Sequence, residues 1–377
     1  MDRDVFVVES PTQLLNATEA RVAFSCARPR LFVLMTGLFD RTWFARVANA
    51  GGWTDVRYVP FRFVARQYDF GLAPPVRFKE RVIERLMLLD VMRKKLTLEL
   101  VAGYCGDVRY LFLGQYRQDT HLHFRHFANV CRYQHLVLLD DGTDTALINR
   151  QRKEERRGRV DDGQQLPRGA LKRAAKRVIA TWDSRGAASL TFFTSMDITP
   201  EWPDRLIKNE YRHLKKGVRC IAVCKGTEGN DVGEGPSDAV DMYFLGQTLV
   251  DDGYLTMELY LECLSSVVTQ NRSARLEYIP HPRESSMTVE QLRERLGIRV
   301  RRLDGPVELE VALAGKSPSI IAGFFCSALE NLRAILPDDI EIHAYRIPSA
   351  RLLQDHESVV AIYEHLSAAK GIRVKDV

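Results

Sequence analysis

The stretch Val5-Phe6-Val7-Val8-Glu9-Ser10-Pro11-Thr12-Gln13-Leu14-Leu15-Asn16 decides the fold class. Its four leading apolar residues read as a short buried strand. Ser-Pro-Thr then forms a turn that opens a helix, with a capping hydroxyl and free backbone N–H groups at the helix start. The same move recurs down the chain. Leu31–Met35, Val56–Val59, Tyr110–Leu113, Leu136–Leu139 and Leu190–Phe193 are further apolar runs, each ending near a turn-forming or polar residue. Helical patterns lie between them, the longest over about 76–100 with Leu86, Leu89 and Met92 on one side. Strands alternating with helices imply βαβ units and a parallel sheet.

Past Phe193 the pattern loosens. Residues 197–238 contain Pro200, Pro203, Pro236 and a Gly-rich polar run at 226–235, which reads as linker and loop. Alternation resumes with strands expected at Met242–Leu245, Leu276–Ile279, Ile298–Arg301, Ser319–Ala322 and Ile340–Ala344. Helices are expected near 255–270, 288–296, 327–335 and 356–369. The expected organisation is a first Rossmann-like domain over 1–196, a linker over 197–239 and a second domain over 240–355. A C-terminal helix at 356–377 is expected to cross back to the first domain. Ligands of such open sheets bind at the carboxyl ends of the strands.

A length of 377 residues suits two or three units at roughly 150 residues per domain. With 45% apolar and 27% charged residues the chain has a globular rather than a disordered composition. The acidic start Met1-Asp2-Arg3-Asp4 and the absence of a long apolar run predict a cytoplasmic protein. Seven scattered cysteines, with Cys220 and Cys224 lacking a second pair at zinc-ligand spacing, predict no structural metal. The net charge of +5 is uneven: Arg150–Arg177 carries eleven Lys/Arg against four Asp/Glu, leaving the rest at −2. That segment has no aromatic residue, which argues against a nucleic-acid binder. Such runs are most often solvated loops; the functional reading is peripheral contact with an anionic membrane surface.

Four clusters stand where strands should end. Ser10, Pro11, Gln13 and Asn16 follow the first strand; a cap explains Ser10 but not the two amides. Asp140-Asp141-Gly142 follows a buried strand, and adjacent carboxylates repel, raising one pKa toward that of a general base. The same tripeptide at Asp161–Gly163 and Asp251–Gly253 makes the triplet alone ordinary turn chemistry. In Pro280-His281-Pro282-Arg283-Glu284, two prolines are expected to hold His281 in an extended backbone, with Arg283 facing the same way as an anion site. Finally, Gly323-Phe-Phe-Cys326-Ser327 runs into a helix whose start is a phosphate seat, with Ser327 and Glu330 forming a capping box on the plainer reading.

In order and spacing, these landmarks resemble bacterial sialyltransferases. Pro-x-Gln-Leu-Leu-Asn at 11–16, Asp-Asp-Gly at 140–142, Leu-Gly-Gln at 245–247, His-Pro-Arg-Glu at 281–284 and the Ser327 helix look like the lipooligosaccharide sialyltransferase family, with polysialic-acid capsule synthases as cousins. The resemblance spans residues 5–335 as spaced landmarks. It implies a GT-B architecture, two Rossmann-like domains with the active site in the cleft between them. It also implies inverting, metal-independent transfer from CMP-sialic acid to a glycan hydroxyl, with no cofactor beyond the donor.

By the same resemblance, Asp140 and Asp141 are the catalytic pair, one acting as base, with Asp251, Asp252 and Glu258 as rivals. His281 assists departure of the CMP phosphate. Ser327 holds that phosphate, and Cys326 stands where the family has a first Ser or Thr. Gly246 and Gln247 form the nucleotide-side turn beside Pro282 and Arg283, and Glu308 binds the ribose. Ser10, Pro11, Gln13 and Asn16 line the acceptor. The partners implied are a nucleotide-sugar donor and a glycan or glycolipid acceptor, and because related enzymes often pair, a homodimer. The alternatives are another CMP-activated nonulosonate or Kdo, a GT-B nucleotide-sugar hydrolase or epimerase, and a catalytically silent nucleotide-sugar binder.

Overall fold

The computed structural model describes residues 3–49, 51–62, 77–117, 121–157, 182–217, 240–313 and 318–377. The Gly-rich run at 226–235, Cys220, Cys224 and most of the basic segment, from residue 158 onward, lie outside them. The chain divides into two compact units, Met1–Asn209 and Glu210–Val377.

The first unit is one parallel sheet. Its strands are β1 (Asp4–Val8), β2 (Pro29–Met35), β3 (Asp55–Pro60), β4 (Asp107–Leu113), β5 (Arg132–Leu139), β6 (Thr191–Thr194) and β7 (Arg205–Lys208), in the order β3-β2-β1-β4-β5-β6-β7. Every neighbouring pair is parallel. The helices include α1 (Pro11–Ala23), α2 (Arg41–Asn49), α3 (Arg77–Cys105), α4 (Leu122–Val130) and α5 (Thr143–Arg156). Helix cover on both faces explains why β1 is an unbroken buried run rather than an alternating one. Phe6 stacks on Phe112 of the neighbouring strand with ring centroids 4.0 Å apart. Even Asp4 is buried in β1, where Arg109 of β4 grips both its oxygens at 3.0 and 2.7 Å.

The second unit repeats the plan. Its strands are β8 (Met242–Leu245), β9 (Leu276–Ile279), β10 (Arg299–Val300), β11 (Ile320–Gly323), β12 (Glu341–Arg346) and β13 (Ile372–Asp376), all parallel in the order β10-β9-β8-β11-β12-β13. The helices include α6 (Met257–Gln270), α7 (Ser286–Leu296), α8 (Val307–Leu313), α9 (Ala328–Ile335) and α10 (His356–Ala368).

Both sheets run outward from a central pair in the 3-2-1-4-5-6 order of a Rossmann-like domain, whose ligand crevice opens where the order reverses. In the first unit that point lies at the carboxyl ends of β1 and β4, and in the second at those of β8 and β11. Two Rossmann-like domains in one chain are the parts of the expected GT-B architecture.

The boundaries differ from expectation. The first unit reaches Asn209 rather than residue 196, because Arg205–Lys208 pairs with β6 as an edge strand. The C-terminal segment belongs to the second unit: β13 pairs with β12 over five residues, and α10 packs on these same strands. Among the described residues no helix is long and apolar enough to cross a membrane.

Candidate active site

In the first unit, polar side chains converge at the strand ends around the switch point. Ser10 caps α1, its hydroxyl accepting the Gln13 N–H at 3.1 Å, with Pro11 in the first turn. That cap fixes where Gln13 points. Its Oε1 accepts the Glu9 N–H at 2.8 Å, and its amide hydrogen-bonds the Asp141 carboxylate. Gly114, at the end of β4, makes room for it: a Cβ there would lie 2.0 Å from Gln13 Oε1.

The two acidic neighbours at the end of β5 divide sharply. Asp140 is 1% exposed and accepts five hydrogen bonds. Gly142 N–H and Thr145 Oγ1 meet Oδ1 at 3.2 and 2.9 Å; Thr194 Oγ1, Ser195 N–H and Ser195 Oγ meet Oδ2 at 2.7, 3.1 and 3.2 Å. Burial still raises its pKa against these donors. The turn needs its glycine, since Gly142 sits at φ +65°.

Asp141 is only half-buried and accepts from Gln115 Nε2 at 2.9 Å. Burial and the neighbouring Asp144 charge push its pKa up to about 7, against the pull of the Gln13 amide. Gln115 bridges the pair, also donating to Asp144 Oδ2 at 2.8 Å, while its own Oε1 is held by the Tyr116 and Arg117 N–H groups. Arg117 ion-pairs Asp144 at 2.9 Å. Asp141 is therefore the acid of the pair that can take a proton near neutrality, and Asp140 is the knot that ties β5 to β6.

A second carboxylate stands beside it. Glu9 lies between two imidazoles, His121 Nε2 at 3.1 Å and His123 Nε2 at 3.0 Å. Burial alone would raise Glu9, but His123 and His121 outweigh it and hold the carboxyl at about 2. For His121 the balance runs the other way: burial opposes its charge, Glu9 more than compensates, and the pKa rises.

The second unit carries its own cluster. Glu284 N–H returns to His281 C=O at 2.9 Å, so His281–Glu284 is a turn and not the extended segment expected from its prolines. Arg283 meets the ring through its main chain. Its backbone N–H donates to His281 Nδ1 at 3.1 Å, which leaves Nε2 to carry the imidazole hydrogen. Burial, then the Arg283 charge, lowers the His281 pKa to about 4. At neutral pH this side chain is a neutral hydrogen-bond donor rather than a stored proton. Pro282 and Arg283 are both exposed.

Gly246 follows β8 and donates its N–H to Ile279 C=O at 2.8 Å. A Cβ there would meet Tyr278 Oη at 2.3 Å and Glu284 Oε2 at 2.6 Å, so only glycine fits. At α9 the capping box is absent. Ser327 has helical φ −61° and ψ −24° with no side-chain cap bond, and Glu330 instead meets His365 Nε2 at 2.7 Å. The cap is Cys326, whose sulfur takes the Ala328 and Leu329 N–H groups, with a thiol pushed up to about 12 by burial. Glu308 is buried and accepts from Asn331 Nδ2 at 2.9 Å.

Several expected roles change. Asn16 is 1% exposed, donating to Asp140 C=O at 3.0 Å and accepting from Asn209 Nδ2 at 3.0 Å, so it braces the strand ends and offers no acceptor wall. Gln13 is equally buried and serves Asp141. Among the rival bases, Asp251 binds the Ser285 N–H at 2.9 Å at the start of α7 and Asp252 accepts from Thr248, while Glu258 is exposed in the first turn of α6. Sequence reasoning missed Gln115, Arg117, His121, His123 and Asp144. Their one legible trait was position, just after β4, at the start of α4, or just inside α5. Among the described residues no group of three or more His, Cys, Asp or Glu could hold a metal ion.

No protein-family model and no curated protein matches the sequence. Solved structures similar in backbone include a UDP-glucosyltransferase from Polygonum tinctorium, at 12% identity over 99% of this chain and 84% of that one, with a TM-score of 0.49. Phytolacca americana UGT2 complexed with UDP-2fluoro-glucose and pterostilbene aligns at 12% identity over 100% and 86%, with a TM-score of 0.48. The E. coli heptosyltransferase WaaC with ADP aligns at 12% identity over 100% and 93%, with a TM-score of 0.39. Likenesses this distant add nothing to what the two strand orders establish.

Proposed function

We propose that the protein is an inverting glycosyltransferase that moves a CMP-activated sialic acid onto a glycan hydroxyl. The observation that carries this reading is Asp141: a carboxyl at the end of β5, raised to about 7 and held by the Gln13 and Gln115 amides. Such a group is half ionised near neutrality and suits removal of a proton from an attacking hydroxyl. Breaking the bond at the anomeric carbon leaves a dianionic nucleotide, which needs donors rather than a metal of its own. The His281 Nε2–H and the Ser327 hydroxyl supply them. The spaced sialyltransferase landmarks support the choice of donor. A glycan or glycolipid is the acceptor, and contact with an anionic membrane remains part of the proposal through the basic segment.

A second reading gains from Asn16 and Gln13, whose amides are used inside the fold. Without them the acceptor side is less defined, as a nucleotide-sugar hydrolase or epimerase requires. CMP release from CMP-Neu5Ac, with and without a lactose-type acceptor, separates the two. Release that depends on acceptor and falls in Asp141→Asn and His281→Ala supports the transferase. Equal release without acceptor supports the hydrolase, and no CMP binding overturns the family reading.

A further inference from the structure

A run of buried hydrogen bonds in the second unit has no part in the chemistry above. The Gln247 N–H donates to the Tyr260 hydroxyl, which lies 2.8 Å from the Tyr278 hydroxyl. Tyr278 in turn donates to Glu284 Oε1 at 2.6 Å, and Glu284 Oε2 accepts the His281 N–H at 3.1 Å. Both tyrosines are fully buried and Glu284 is 4% exposed. The run therefore joins the turn after β8 to the turn after β9 through side chains with nowhere else to go. Gly246 lies beside it, with no room for a side chain between its backbone and the Tyr278 hydroxyl and Glu284 carboxylate.

We infer that Glu284 is the positioning residue of this cluster: it fixes the His281 turn against the Gly246–Gln247 turn, and so sets the direction and tautomer of the His281 ring. The donor order demands an acid at this place. Glu284 must accept on both oxygens, from a backbone N–H on one side and a tyrosine hydroxyl on the other. A glutamine can accept only on one oxygen. Its amide would force the Tyr278 hydroxyl to turn toward Tyr260, which already accepts the Gln247 N–H, and one buried hydroxyl would be left without an acceptor. The loosened turn then releases the Arg283 N–H from His281 Nδ1, the bond that keeps the hydrogen on Nε2.

The test reads the His281 ring itself, by nitrogen and carbon NMR of the imidazole, with His281→Gln assigning the resonance. Wild-type protein is expected to show the Nε2–H form and titration well below the ordinary histidine range. Glu284→Gln, Tyr278→Phe and Gly246→Ala, which alter three different atoms of one contact, are each expected to mix the tautomers and move the titration toward 6.5. Tyr345→Phe, which removes the hydroxyl bonded to Asn271 at 2.7 Å, is the control for destabilisation and should leave the ring unmoved. An unchanged His281 in folded Gly246→Ala and Tyr278→Phe overturns the inference even if Glu284→Gln fails to fold. A kinetic arm rests on the proposed CMP-sugar reading: the same variants should lower kcat about tenfold or more with little change in KM. Ring changes without that kinetic effect would sink the donor reading and leave the positioning role standing.

Discussion

Thr194 Oγ1 donates to Asp140 Oδ2 at 2.7 Å, which fastens the end of β6 to the end of β5 and turns the Asp140 carboxylate away from solvent. Asp141, one residue on, keeps a half-buried carboxylate facing the other way, toward Gln115. Asp140→Asn places an amide N–H against donors and should cost on the order of 2–4 kcal/mol, visible as a fallen urea midpoint with activity lost in proportion to folded protein. Asp141→Asn should leave the midpoint near wild type and lower kcat roughly 100-fold or more. Equal unfolding midpoints for the two variants would contradict this division.

The pH profile follows from Asp141. A base titrating at about 7 gives kcat/KM an acid limb centred there, falling tenfold per pH unit below it. Asp144 contributes to that elevation through its charge, so Asp144→Asn should move the limb to lower pH. If the Asp141 value drops by about one, the ionised fraction at pH 6 rises from about a tenth to about a half. CMP release measured from pH 5 to 9 decides it, and a limb that stays put removes Asp144 from the account.

Glu9 makes a prediction about stability rather than rate. Its carboxyl is depressed to about 2, so the stabilisation it gives is present above its unfolded value near 4.5 and lost as pH falls toward 2. His121 is raised, so its share is present below about 6.5 and lost as pH rises through its folded value. Glu9→Gln should therefore be destabilised by about 3 kcal/mol near pH 5–6. The gap should narrow toward pH 3 and toward pH 8. Urea midpoints across that range test it, and a gap independent of pH would show that packing alone is lost.

Cys326 caps α9 with a weak acceptor, and its protonated thiol is a weak donor. Cys326→Ser restores the paired hydroxyls of the sialyltransferase motif. The expected result is a KM for the donor lower by about fivefold, the effect of one hydrogen bond worth about 1 kcal/mol. An unchanged or higher KM would mean that position 326 faces the helix and not the phosphate.

Most of the strands legible in the sequence carry an apolar run, buried throughout in Val5–Val8 and Leu136–Leu139 and only in part in the edge strand at 56–59. Those that escaped notice are edges. Arg205–Lys208 is exposed along its whole length, and Ile372–Asp376 mixes charges with only two half-buried positions and one buried, so neither shows a run. The strand ends told where chemistry gathers but not which residue does it. Asp140 and Asp141 differ because Thr194 and Ser195 come from the end of the neighbouring strand β6, 54 and 55 residues away in the chain, a relationship no local pattern encodes. His281 failed for a different reason. Flanking prolines restrict φ, and a turn satisfies that restriction as well as an extended chain does.

The five-fold grip on Asp140 has a bearing on how variants of this protein are scored. A saturation library selected on product formation alone will rank position 140 beside or above position 141, since cells that cannot keep the enzyme folded make no product. Abundance must be read in the same cells, for instance through a fused reporter, before intolerance at either aspartate is taken as a mark of catalysis. On that two-axis plot Asp140 variants fall along the diagonal, abundance and product declining together, while Asp141 variants drop straight down.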